Sequence, residues 1–154
     1  MYQRILVPYD GSEPSRRGLD EAAKLAKLTG AKVRVAYVID ELIGATGFEP
    51  YGIYARDVLA SMRTTGQGLL GEARSQAAHG GLTIETEMSE SHGHQIADCI
   101  IDQAIAWQAD LIVIGSHGRR GASHLFMGSD AEKVLRLSPV PVMVVKPLAA
   151  HQTA

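Results

Sequence analysis

A glycine-serine series between residues 115 and 129 carries the chain's most specific chemical signal. Gly115, Gly118, Gly128 and Ser129 are spaced Gly-x2-Gly-x9-Gly-Ser within GSHGRRGASHLFMGS. Gly115 and Gly118 permit positive φ and place no Cβ in the way of a ligand. Consecutive amides in such a turn form an anion-binding concavity. A helix opening at Gly128-Ser129 adds free N–H groups and a dipole that attract phosphate, and the Ser129 hydroxyl adds a donor. Together these parts suit a triphosphate. A second polar turn, Pro8-Tyr9-Asp10-Gly11-Ser12, supplies Asp10, the one plausible acid to position a metal near the phosphates.

Other chemistry is weaker. His92 and His94 can pair around a metal, but no third ligand is evident, and they read as a solvated loop. His117 lies within the glycine turn and reads as ligand-proximal; His124 reads as facing solvent. Cys99 falls on an apolar helix face and reads as a core thiol. No Ser-His-Asp or Cys-His arrangement has an interpretable spacing. G-x-G-x-x-G after the first strand is absent, as is G-x4-G-K-[ST], so dinucleotide and P-loop sites are not indicated.

The elements that must position these turns follow from periodicity. Ile5-Leu6-Val7 reads as a buried strand. Ser12 and Pro14 open a helix whose apolar face is Leu19, Ala22, Ala23 and Ala26, and Thr29-Gly30 stops it. Val33 to Val38 is a second strand. Residues 39–53 show no period and read as a long loop. Ala55 to Ala77 mark a long amphipathic helix with Gly66, Gly68 and Gly71 inside it, predicting a bend or a close approach. Leu82, Ile84, Thr86 and Met88 alternate with polar residues as a third strand. Ile96 to Ala104 is a helix, Leu111 to Ile114 a fully apolar strand, Ser129 to Leu137 a helix and Val142 to Val145 a fifth strand. This alternation predicts an α/β fold with a parallel sheet and helices on both faces.

Composition agrees. The 154 residues carry 15 Lys+Arg against 17 Asp+Glu, one Cys and 45% hydrophobic residues. One cysteine excludes an internal disulfide scaffold. The charge of −2 gives no basic field for general nucleic-acid binding. No apolar run suits a signal peptide or a membrane span, so a cytoplasmic protein is expected. With strand order 3-2-1-4-5, the winding reverses between strands 1 and 4, where doubly wound sheets bind ligands. Both glycine-bearing turns then face one crevice.

RILVPYDGSE, GSHGRRGASHLFMGS and VLRLSPVPVMVVK together resemble the universal stress protein family, in its ATP-binding branch, over residues 2–146. The resemblance implies a five-stranded 3-2-1-4-5 sheet, bound ATP and a homodimer. It sets Pro8 and Asp10 beside the nucleoside and metal-bearing phosphates, so that Asp10 can meet Mg2+. It sets Val38 against adenine through its backbone, and Gly115, Gly118, Gly128 and Ser129 on ribose and phosphate, with Arg119 near the phosphates. One departure stands out: the residue after the Gly-Ser pair is usually apolar, often Val, and here is Asp130. Either Asp130 points outward and only its amide meets phosphate, or the acid weakens the ATP site, recruits metal or favours a less charged nucleotide.

The implied function is an ATP-binding stress-response regulator whose nucleotide state a protein partner reads; the alternative is a slow ATPase or autophosphorylating phosphotransferase at the same site. The apolar strand Val142–Val145 is expected at a sheet edge, where a bare apolar strand pairs with a second copy. Residues 1–147 are read as one domain and 148–154 as a flexible tail.

Overall fold

A computed structural model describes residues 1–41, 53–119 and 126–148, with only the backbone described for 53–55. Five strands, β1 (Arg4–Pro8), β2 (Lys32–Ile39), β3 (Glu85–Glu90), β4 (Leu111–Gly115) and β5 (Val142–Val145), form one sheet in the order β3-β2-β1-β4-β5. Every neighbouring pair is parallel, with Ile5 opposite both Val33 and Leu111, Arg34 opposite Glu85 and Ile112 opposite Val142. This is the expected topology.

The helices are α1 (Glu13–Thr29), α2 (Ile53–His79), α3 (Ile96–Ala106) and α4 (Ser129–Leu137). Ser12 caps α1, its hydroxyl accepting the Ser15 N–H at 3.3 Å. Gly30 ends the helix at φ +75°, donating its N–H to the Ala26 carbonyl at 2.8 Å. None of the described helices is long and apolar enough to cross a membrane.

Strand pleating divides the core into two layers. Ile5, Val7, Val33, Val35, Leu111 and Val113 face α1 and α2, meeting Leu19, Ala22, Leu69 and Ala73. Leu6, Ala36, Ile112 and Ile114 face α3 and α4, meeting Ala97, Ile100, Ala131 and Val134. The central strands are therefore apolar on both faces, as parallel strands covered by helices must be. Each fully buried Leu, Ile or Val stabilises the fold by roughly 1.5–3 kcal/mol.

Three expectations are corrected. The third strand begins at Glu85, not Leu82: pairing with β2 starts at Arg34 opposite Glu85, while Leu82 and Ile84 pack against the core from the connection that precedes it. Cys99 is half-buried rather than a core thiol; Ala97 and Ile100 take the core-facing positions of α3. The long loop begins later than residue 39, because β2 continues through Ile39; residues 42–52, which include Gly44, Gly47 and Gly52, lie outside the described residues, as do His124 and tail residues 149–154.

The α2 glycines separate into two kinds. A Cβ on Gly66 would lie 2.7 Å from Met88 Sδ and 2.7 Å from the Tyr37 ring, so Gly66 permits a close approach of helix to sheet. At Gly68 and Gly71 a Cβ would meet nothing within 4 Å, and nothing in the structure explains glycine there. Gly68→Ala and Gly71→Ala are each expected to stabilise the protein by about 0.5–1 kcal/mol, raising Tm by roughly 1–4 °C in a thermal melt. A lower Tm in both would contradict the helix geometry.

Candidate functional site

The carboxyl ends of β1 and β4 lie side by side, and a cleft of about 400 Å³ opens beyond them. Its position is the one expected where the winding of an open α/β sheet reverses. Pro8 and Asp10 border it from the end of β1, and Val38 from β2. Gly115, His117, Gly118 and Arg119 border it from β4 and the turn that follows. Gly128, Ser129 and Asp130 border it from the start of α4. The structure thus brings all ten site residues chosen from the sequence to one cavity.

The glycine reading needs one correction. Neither Gly115 nor Gly118 has positive φ, and Gly128 sits at φ −65°. All three are places of close approach instead. A Cβ on Gly115 would lie 2.8 Å from both the carbonyl carbon and Cβ of Pro14, in the first turn of α1. On Gly118 it would lie 2.5 Å from Asp10 Oδ2, and on Gly128 it would lie 3.2 Å from His117 Cα. The spacing therefore records where the backbone must pass close to α1, to a carboxylate and to itself.

Hydrogen bonds hold these segments in register. The Gly128 N–H donates to the Ser116 carbonyl at 2.7 Å, closing the base of the 116–128 loop, and the Ser116 N–H donates to the Val145 carbonyl at 2.8 Å. Asp10 accepts the Ser12 N–H on Oδ1 and the Arg119 N–H on Oδ2, both at 2.9 Å. Gly128 is the N-cap of α4 and brings no capping side chain. The first residues of α4 line the cleft, and the helix start carries no side-chain cap, a setting that suits anions. Asp130 and Glu132 stand in the same first turn, with Asp130 exposed at the rim.

Several cleft residues were not picked out by sequence reading. Tyr37, Asp40, Ser15 and Met62 line the opening, and Ile96, Ile100, Ile114 and Ala131 form an apolar wall. Tyr37 and Asp40 flank Val38 at the carboxyl end of β2, so the position of Val38 carried a signal for them. Met62 gave none, because its place depends on how α2 lies across the sheet. Burial raises the Tyr37 pKa; the Arg119 guanidinium opposes that shift, and the Asp10 and Asp40 carboxylates reinforce it.

Among the described residues, His92 and His94 do not come together in one group of metal-ligand atoms. His92 instead meets Glu41, with Nδ1 3.6 Å from Oε1, and Glu90 completes a group of three. Glu90 already pairs with Arg63, and none of the three lines the cleft.

Known proteins share this architecture. Residues 1–146 match the profile of the Universal stress protein family. A universal stress protein of Methanocaldococcus jannaschii is 33% identical over 146 residues, covering 95% of this chain and 83% of that one. The universal stress protein of Archaeoglobus fulgidus solved in complex with dAMP superposes with a TM-score of 0.64 at 27% identity, covering 94% of this chain and 98% of that chain. A further universal stress protein, solved in complex with cAMP, gives a TM-score of 0.64 at 25% identity over 94% and 97% of the two chains. With nearly its whole length matched and the expected sheet order in place, the chain belongs to the universal stress protein family.

Proposed function

We propose that this protein is an ATP-binding regulator of the stress response, with the nucleotide held in the cleft between β1 and β4. The observation that carries the reading is the convergence of two phosphate-type backbone features on that cleft: the 115–119 turn and the uncapped start of α4. A volume of about 400 Å³ lies within the ordinary range for small-ligand sites, roughly 300–1,000 Å³. The apolar wall of Ile96, Ile100, Ile114 and Val38 suits a purine, and the glycine turn, Ser129 and Arg119 suit the phosphates. Mg2+ arriving with ATP would neutralise phosphate charge beside Asp10. Complexes of relatives with dAMP and cAMP support an adenine nucleotide as the ligand class.

The test is direct. The purified protein is denatured and any released nucleotide identified by mass, and ATP, ADP and AMP are titrated calorimetrically. Release of adenine nucleotide, or saturable ATP binding, is expected. Absence of both results would overturn the proposal. A timed ATP incubation separates a binder from an enzyme: turnover above about 1 s⁻¹, the lower edge of ordinary enzyme rates, would replace the regulatory reading by a catalytic one.

Asp130→Val is expected to leave ATP affinity within about threefold of the parent at 0.15 M salt, because water and ions screen an exposed carboxylate. A larger gain would make Asp130 a true selector against highly charged nucleotides.

A cytoplasmic homodimer completes the proposal. β5 is an outer strand of the sheet, and α4 beside it exposes Leu135 and Leu137. Pairing of β5 edges would cover this surface. Light scattering at micromolar concentration should return twice the chain mass of 16.5 kDa; a monomer would remove the dimer.

A further inference from the structure

We propose that Asp10 is a positioning residue, a latch that fixes the phosphate-facing turn before ligand arrives, and not a ligand of the metal. The inference rests on the nucleotide reading of the cleft and assigns the acid a different task within it. Both carboxylate oxygens are engaged by backbone: Oδ1 by the Ser12 N–H and Oδ2 by the Arg119 N–H, each at 2.9 Å. The two partners belong to turns 107 positions apart in the chain, 119 minus 12. Ser15 steadies the near side, its hydroxyl donating to the Ser12 carbonyl at 2.9 Å and accepting the Asp10 N–H at 3.4 Å. Hydrogen bonds to a carboxylate are roughly twice as strong as neutral ones, and here they join the ends of β1 and β4 across the mouth of the cleft.

Gly118 fits the same device. A Cβ there would lie 2.5 Å from Asp10 Oδ2, so the carboxylate rests against the turn only because residue 118 has no side chain. The second glycine of the spaced series is thus the seat of the latch. Oδ2 keeps a second lone pair, but a divalent ion bound there would draw electron density from the Arg119 N–H bond and shift its geometry, weakening the hold on the turn that would present its amides to phosphate. Amides already aimed at the ligand need no ordering when it binds, which favours affinity.

The test uses the full chain and reads the latch with and without nucleotide. In ligand-free protein, Asp10→Asn keeps the shape but offers one oxygen in place of two. The Arg119 amide should then exchange hydrogen at least about tenfold faster, the scale of one lost charge-assisted hydrogen bond, while the β1 and β4 amides keep their protection. ATP affinity should fall by a similar factor, equally in Mg2+ and in EDTA. Gly118→Ala should reproduce both effects with Asp10 intact. A loss of ATP affinity confined to Mg2+, with Arg119 exchange unchanged, would make Asp10 a metal ligand and overturn the proposal. Loss of protection throughout β1 and β4 would overturn it as well, by giving Asp10 a general structural role. Failure of the parent protein to bind ATP would refute the nucleotide reading, and the ligand-free exchange measurement would still decide whether the latch exists.

Discussion

Gly115→Ala is expected to lower stability by about 1–3 kcal/mol, the range for overpacking a tight site, and to lower Tm by roughly 2–12 °C for a chain of this length. The added methyl would stand 2.8 Å from two Pro14 atoms and 2.9 Å from the Ser15 nitrogen. Two of these three are backbone atoms in the first turn of α1, so no side-chain rotation relieves the clash. That turn cannot retreat cheaply either, because Ser12 caps it and Ser15 is buried. Nor can Gly115 shift alone, since it pairs with Val145 of β5 and the next residue, Ser116, donates its N–H to the Val145 carbonyl. The control lies on the same seam. A Cβ on Gly18, one helical turn along α1, would find its nearest neighbours at 3.8 Å, an ordinary contact. Gly18→Ala should therefore be neutral or stabilising, by up to about 1 kcal/mol from helix propensity. Thermal and urea melts of the two variants check both signs. Equal effects would show that the close approach of α1 to β4 is looser than the geometry indicates.

Gly118→Val is expected to abolish nucleotide retention while leaving the fold intact. Gly118 is exposed at the cleft mouth, so added bulk meets no core. Its Cβ would nonetheless displace the Asp10 carboxylate from 2.5 Å, and the two further methyls of valine would project from the turn to which the proposed nucleotide site assigns the phosphates. Breaking the Asp10–Arg119 contact and obstructing the turn together should weaken ATP binding by about a hundredfold or more, since a lost charge-assisted hydrogen bond alone accounts for roughly tenfold. The variant should melt within a few degrees of the parent and release no nucleotide on denaturation. A variant that retains ATP would place the phosphates elsewhere in the cleft.

The order of elements was legible because each has its own period. Leu19, Ala22 and Ala26 recur at helical spacing, and Leu111–Ile114 is apolar throughout because helices cover both faces of its strand. The start of β3 was not legible. Leu82 and Ile84 keep the strand alternation for reasons of core packing alone, and only the register with Arg34 decides where pairing begins. The cleft was legible through its glycines, though for a different reason than sequence suggested. Spacing revealed that Cβ atoms are unwelcome at 115, 118 and 128; it did not reveal that α1 and Asp10 exclude them at the first two and that His117 crowds the third. Met62 was hidden because its place at the opening depends on how α2 crosses the sheet at Gly66, which is a tertiary distance with no local pattern.

The parallel pairing of β1 with β4 has a consequence for how the protein is made. Residue 5 lies against residue 111, so this pairing closes a loop of about a hundred residues, and such long closures are slow steps in folding. A ribosome must release most of the chain before the two edges of the cleft can meet. The β3-β2-β1 half can assemble early, but it has no site. A ligand in the cleft recognises only the finished sheet and stabilises that state by mass action. Bound nucleotide would therefore mark molecules whose synthesis and folding are both complete.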